Sequence, residues 1–83
     1  MNNPNLNLAN IKFVNVDASG IQSVGYVPTS RLLYIKFHND LPTLCFINVP
    51  GFRYEGLLAA PRKDAYYKTF IENQFMTSPV KLG

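Results

Sequence analysis

The apolar side chains change rhythm at Val49-Pro50. Before that point they mostly alternate, the period of 2 that a strand requires; after it they recur every three or four residues, the period of a helix. The clearest strand is Arg31 to His38, where Leu33, Ile35 and Phe37 share one face and Leu32, Tyr34, Lys36 and His38 share the other. The first set is expected to face the core. Thr43 to Asn48 repeats the pattern, with Leu44 and Phe46 opposed to Cys45 and Ile47. An earlier strand over Ile21 to Tyr26 puts Val24 and Tyr26 on one side and Ile21 on the other, with Gly25 marking a bulge or a close backbone approach. Ile11 to Val16 is β-branched and aromatic on both parities and reads as a strand covered on much of both faces. Turn formers separate these segments at Asp17-Ala18-Ser19-Gly20, Val27-Pro28-Thr29-Ser30 and Asn39-Asp40-Leu41-Pro42.

In the helical half, Pro50 fits a first helical turn, where a missing N–H leaves nothing unsatisfied. Tyr54, Leu57, Leu58 and Pro61 then form one stripe, and Pro61 ends the helix because continuing through it costs about 3 kcal/mol. Asp64 is the expected N-cap of a second helix, whose stripe is Tyr67, Phe70, Ile71, Gln74 and Phe75. The pattern predicts an α+β fold: an antiparallel β-meander of three to four strands followed by two C-terminal helices packed on one face of the sheet. Residues 1–10, with five Asn and one Pro, are expected to be a flexible leader, residues 11–75 the single domain, and residues 76–83 a flexible tail.

Composition narrows the function classes. A chain of 83 residues makes one domain with room for one core. A formal charge of +3 permits a polyanion partner without demanding one. The single cysteine, Cys45, excludes an internal disulfide, and a cytoplasmic protein is expected. No apolar run approaches the 20 or so residues of a membrane span, so no membrane association is expected. Cys45 with His38 is the one conceivable thiol and imidazole pair, but its plain reading is a packed cysteine and a histidine near a turn. The acids Asp17, Asp40, Glu55, Asp64 and Glu72 fall at turns, caps and helix faces, without the spacing of a metal or acid-base site. Phosphate-cradling glycine loops are lacking. The expectation is a non-enzymatic protein with no metal and no cofactor.

Flat side chains beside cations are the usual means of binding single-stranded RNA. Tyr34, Lys36, Arg53, Tyr54, Arg62, Lys63, Tyr66 and Lys68 are the candidates for such a surface. The plainer reading is that Tyr54, Tyr66 and Tyr67 close the core with hydroxyls at the rim and the cations are solvated. A second partner class is a protein, held by an adaptor or phage-type inhibitor that uses an exposed strand edge with Leu32 and Tyr34 outward, or a second copy paired the same way.

Ser19-Gly20-Ile21-x-x-Val24-Gly25-Tyr26, Leu32 to Phe37, Phe46-x-x-Val49-Pro50 and Tyr66-Tyr67-x-x-x-Ile71-x-x-x-Phe75 together resemble the KTSC domain. This is the small module at the C-terminus of some lysyl-tRNA synthetases, also found as a stand-alone bacterial and phage protein. The likeness spans Val16 to Phe75. It implies the fold, and the synthetase context of some members points to RNA. Four positions depart from the family pattern: its Tyr-x-Tyr falls on Leu44-Cys45-Phe46, which lacks both tyrosines, its glycine before the second helix on Asp64, and its asparagine after the aromatic pair on Lys68.

Overall fold

The computed structural model describes residues 11–80. Four strands, β1 (Phe13–Asn15), β2 (Ile21–Val27), β3 (Leu32–Phe37) and β4 (Thr43–Ile47), precede helices α1 (Gly51–Ala59) and α2 (Lys63–Phe70); a last strand, β5 (Met76–Val80), follows them. They form one five-stranded sheet in the order β1-β2-β3-β4-β5, every neighbouring pair antiparallel. The α+β meander expected from the pattern is present. Its helices are inserted before the final strand, and the sheet has one strand more than expected.

The extra strand corrects the reading of a flexible tail over Met76 to Val80. This segment pairs with β4 from Ile47 opposite Met76 to Thr43 opposite Val80. It lacks a strand signature because most of it is exposed and it contains Pro79. An edge strand tolerates proline, since the missing donor faces away from the ladder. Residues 1–10 and 81–83, the expected leader and the rest of the tail, lie outside the described residues.

In-register pairs share a sheet face, so Val24, Tyr26, Leu33, Ile35, Leu44 and Phe46 all point the same way. Leu57 from α1 and Tyr67 and Ile71 near α2 cover this face, and Val24, Leu33, Ile35, Phe46, Val49, Leu57 and Ile71 are essentially inaccessible. Ile21 joins them. A register shift between Ile21 and Ser23 turns it onto the same face as Val24, where strict alternation had placed it opposite. The bulge therefore sits before Gly25, and Gly25 is the close backbone approach. A Cβ there would lie 2.8 Å from the Ile11 side chain and 3.3 Å from the Phe13 ring.

On the other face, Tyr34 is buried at 4% exposure and Leu32 is half-buried, which corrects their reading as an exposed outer surface. Phe13, paired with the bare Gly25, reaches across it to meet Tyr34 edge-on at 6.5 Å. Cys45 lies opposite Tyr34 in register. Burial pushes both the thiol and the phenol up from their ordinary pKa values, and the charge of the neighbouring Cys45 adds to the rise at Tyr34. Cys45 is thus a packed, weakly nucleophilic thiol.

Both helices begin differently from expectation. Pro50 occupies the N-cap position of α1 with extended geometry, and Ala60 closes that helix just before Pro61. Asp64 does not cap α2; Arg62 stands at that position without a side-chain cap bond. The Asp64 carboxylate instead accepts from the backbone N–H and hydroxyl of Ser19, at 3.0 and 2.6 Å, and from the Gly20 N–H at 3.4 Å. Residue 64 thereby ties the β1–β2 loop to α2. At the far end Asn73, at φ 64°, turns the chain back into β5.

Ile71 has no exposure and packs among side chains from three strands, so Ile71→Ala is expected to cost about 2 to 5 kcal/mol in chemical unfolding. The hydrogen bond from the Ser19 hydroxyl, followed by those from the Ser19 and Gly20 backbone, holds the Asp64 carboxyl below its ordinary pKa, with His38 contributing a favourable charge. A depressed folded pKa means the unfolded chain binds protons more readily, so this stabilisation is full above about pH 4 and fades as pH falls through the folded value. Urea midpoints measured between neutral pH and about pH 3 are expected to fall less steeply for Asp64→Asn than for the native chain.

Candidate functional site

The eight candidate binding residues do not form one surface. Tyr34 and Lys36 lie on the face of the sheet away from the helices. Tyr34 is buried there, and the Lys36 ammonium sits over the Phe13 ring at 4.2 Å. Tyr54 stacks on Tyr26 with ring centres 5.0 Å apart and planes at 16°, and burial raises its hydroxyl pKa. That ring is structural. Lys63 donates to the Ala60 carbonyl at 2.8 Å, closing the α1–α2 turn, and Arg62 is exposed beside it. Lys68 lies on a different flank of α2, 3.8 Å from Glu72.

Arg53 and Tyr66 do come together, and they bring two residues, Phe52 and Phe70, that were not among the binding candidates. The Arg53 guanidinium lies 4.6 Å from the Phe70 ring centre and 5.2 Å from that of Phe52. Tyr66 packs on Phe70 at 4.7 Å and lies across Gly56, where any Cβ would collide with its phenol. The bare backbone at Gly56 lets the two helices close on each other. Phe52 is 65% exposed and Phe70 38% exposed, so the outward side of the hairpin carries an aromatic patch centred on an arginine. Phe52 was detectable as an apolar residue off the Tyr54-Leu57-Leu58 stripe. Phe70 had been assigned to the core stripe, but it turns toward Tyr66.

Behind α2, between that helix and the turn joining β3 to β4, is a cleft of about 540 Å³. Ile21, Phe37, Leu44 and Tyr67 give it an apolar floor, and His38, Asp64, Lys68 and Glu72 stand around it. Asn39 and Asp40, both at positive φ, shape the opposing turn. His38 lies here while Cys45 lines no part of the cleft, so the thiol and imidazole pair is not assembled. Leu44, Asp64 and Lys68, three of the positions that depart from the KTSC pattern, all line this cleft.

Among the described residues no three His, Cys, Asp or Glu side chains converge as a metal site, and no helix is long and apolar enough to cross a membrane.

Comparison with known proteins agrees with the architecture. The family model of the KTSC domain matches residues 17–75. A search of curated proteins returns no match. Among solved structures, the crystal structure of a KTSC domain protein from Yersinia pestis superposes with a TM-score of 0.81 at 25% identity, covering 86% of this chain and 99% of that one. With the matched segment running from Asp17, before the bulged second strand, to Phe75 at the entry of the last, the chain belongs to the KTSC domain family.

Proposed function

We propose that this KTSC domain is a non-enzymatic binding module that recognises a protein partner through the outward face of its α1–α2 hairpin. The observation that carries the reading is the exposed Phe52 beside Phe70, with Arg53 lying over both rings. Aromatic residues and arginine are the side chains that dominate binding energy at protein interfaces, because they bury large area at low conformational cost. An isolated exposed phenylalanine is ordinary. Two of them bridged by a guanidinium make a preorganised anchor.

The strand edges are less suited to a partner than this face. β1 is three residues long, and β5 carries Pro79, which removes a donor from the outer edge. The RNA reading is weakened by the placement of the cations. Lys36 is on the opposite face, Lys63 is spent on a backbone carbonyl, and Lys68 stands beside Glu72, so among the described residues no continuous basic track accompanies the aromatic patch.

The test is retention of partners from source cells by the immobilised native chain and by a Phe52→Ser/Phe70→Ser double variant, with nuclease and salt as arms. The expected result is a protein retained by the native chain, resistant to nuclease, little affected between about 50 and 300 mM salt, and bound at least about thirtyfold more weakly by the variant. Retention of RNA that is lost steeply with salt would reverse the choice of partner. Binding unaffected by the double substitution would remove this face from consideration.

A further inference from the structure

The cleft behind α2 is separate from the hairpin's outward face and has a chemistry of its own. Its volume of about 540 Å³ lies within the ordinary range for small-ligand pockets, and an apolar floor with a few convergent polar groups is their usual composition. Asp64, Tyr67, Lys68 and Glu72 all reach it from α2 or just beyond, at the three- and four-residue spacing that aligns side chains along one side of a helix.

The polar groups there retain unused bonding capacity. Tyr67 is 8% exposed, its ring held edge-on by Phe37 and Phe46 at 5.7 and 5.9 Å; it lines the cleft, and its hydroxyl is not a buried group left without a partner, so it stays open to a ligand there. Of the Asp64 oxygens, Oδ2 accepts both Ser19 bonds while Oδ1 receives only the long contact from Gly20, so Oδ1 has room for another donor. The Ser19 loop fixes this carboxylate in position. Among the described residues Glu72 is engaged only by Lys68, at 3.8 Å, beyond hydrogen-bond length, and the Lys68 side chain is 73% exposed and stands out in solvent. Two carboxylates therefore face the cleft, with one withdrawn ammonium and the His38 imidazole at its edge. The Tyr67 phenol, which can accept as well as donate, belongs to the same lining.

We propose that this cleft binds a cation with an apolar body, a primary ammonium or guanidinium whose hydrocarbon part lies on Phe37, Leu44 and Ile21 while its N–H groups reach Asp64, Tyr67 and Glu72. The same chemistry belongs to a free arylalkylamine and to a lysine or arginine side chain of a peptide. Which of the two is the better ligand is an arm of the test.

The experiment is an amide-resolved NMR titration of the full chain with phenethylammonium, with 3-phenylpropionate as a counterpart of similar size and opposite charge, and with a short capped peptide carrying Phe-Arg. The expected result is saturable shifts at Gly20, His38, Leu44 and Lys68 with phenethylammonium in the millimolar range, and an affinity at least about tenfold lower for the anion. Tighter binding of the peptide than of the amine at the same amides would assign the site to a partner's side chain; the reverse would assign it to a small molecule. Tyr67→Phe keeps the ring and its packing, and Glu72→Gln keeps the shape. Each is expected to retain a native spectrum and weaken amine binding about tenfold, whereas Phe52→Ser leaves it unchanged. Equal response to amine and anion, shifts confined to the Phe52 and Phe70 face, no saturable shift at several millimolar, or native affinity in both variants would overturn the proposal.

Discussion

The fold depends on the fixing of one residue between sheet and helices. Val49 is fully buried, its N–H donates to the Arg31 carbonyl at 2.9 Å, and its carbonyl accepts from the Tyr26 hydroxyl at 2.6 Å. Three constraints thus meet where the chain leaves β4 and enters α1. Asn48, at φ 64°, makes the change of direction just before it, and Arg31, at φ 57°, presents its carbonyl from the close of the β2–β3 turn. Losing either hydrogen bond leaves a buried peptide group unsatisfied, which costs about 1 to 3 kcal/mol, more than the bond itself contributes. The direction of α1, the stacking of Tyr54 on Tyr26, and the placement of α2 all follow from this junction.

A second tie works at the opposite end of the helical layer. Asp64 holds the β1–β2 loop by its Ser19 and Gly20 contacts, while the His38 N–H donates to the Gly20 carbonyl at 3.1 Å. The loop is thereby fixed from α2 on one side and from the end of β3 on the other. With β2 started at this loop, the shift between Ile21 and Ser23 sends Ile21 inward, and the space left between α2 and the β3–β4 turn is the cleft. Its apolar floor and the core are one continuous layer, since Ile21 and Tyr67 belong to both.

How much of this was legible in the sequence follows from which features are local. The faces of β3 and β4, the end of α1 at Pro61 and the change of period at Val49-Pro50 depend on side-chain alternation and on proline, and they were readable. β5 was not, because Met76 to Val80 is exposed at the sheet edge and owes its strand conformation to pairing with β4 alone. Tyr34 was misjudged because its cover is not on its own strand: Phe13 reaches it only over the bare Gly25. Asp64 sits at the right end of the right helix, yet its partners lie 45 and 44 residues away in sequence, and no local rule finds them. The gathering of Arg53, Tyr66 and Phe70 likewise needed the crossing of two helices at Gly56. Of the binding candidates, the sequence supplied the residue types but not which of them share a face.

Helix α2 shows why such a small domain can hold two distinct surfaces. Over eight residues, with the turn that follows, it presents three rows at three- or four-residue spacing. Tyr67 and Ile71 enter the core, Tyr66 and Phe70 meet α1 and the outer patch, and Asp64, Lys68 and Glu72 line the cleft. Only the first row must be apolar for stability; the other two are held by contacts of their own, Asp64 to the Ser19 loop and Tyr66 across Gly56. The outer row is aromatic and shares an arginine with α1; the cleft row is charged and opposes an apolar floor. The two differ in chemistry, and the core row separates them. The proposed cleft ligand and the proposed hairpin partner would therefore not compete, since the side chains that meet them share one helix and touch different neighbours.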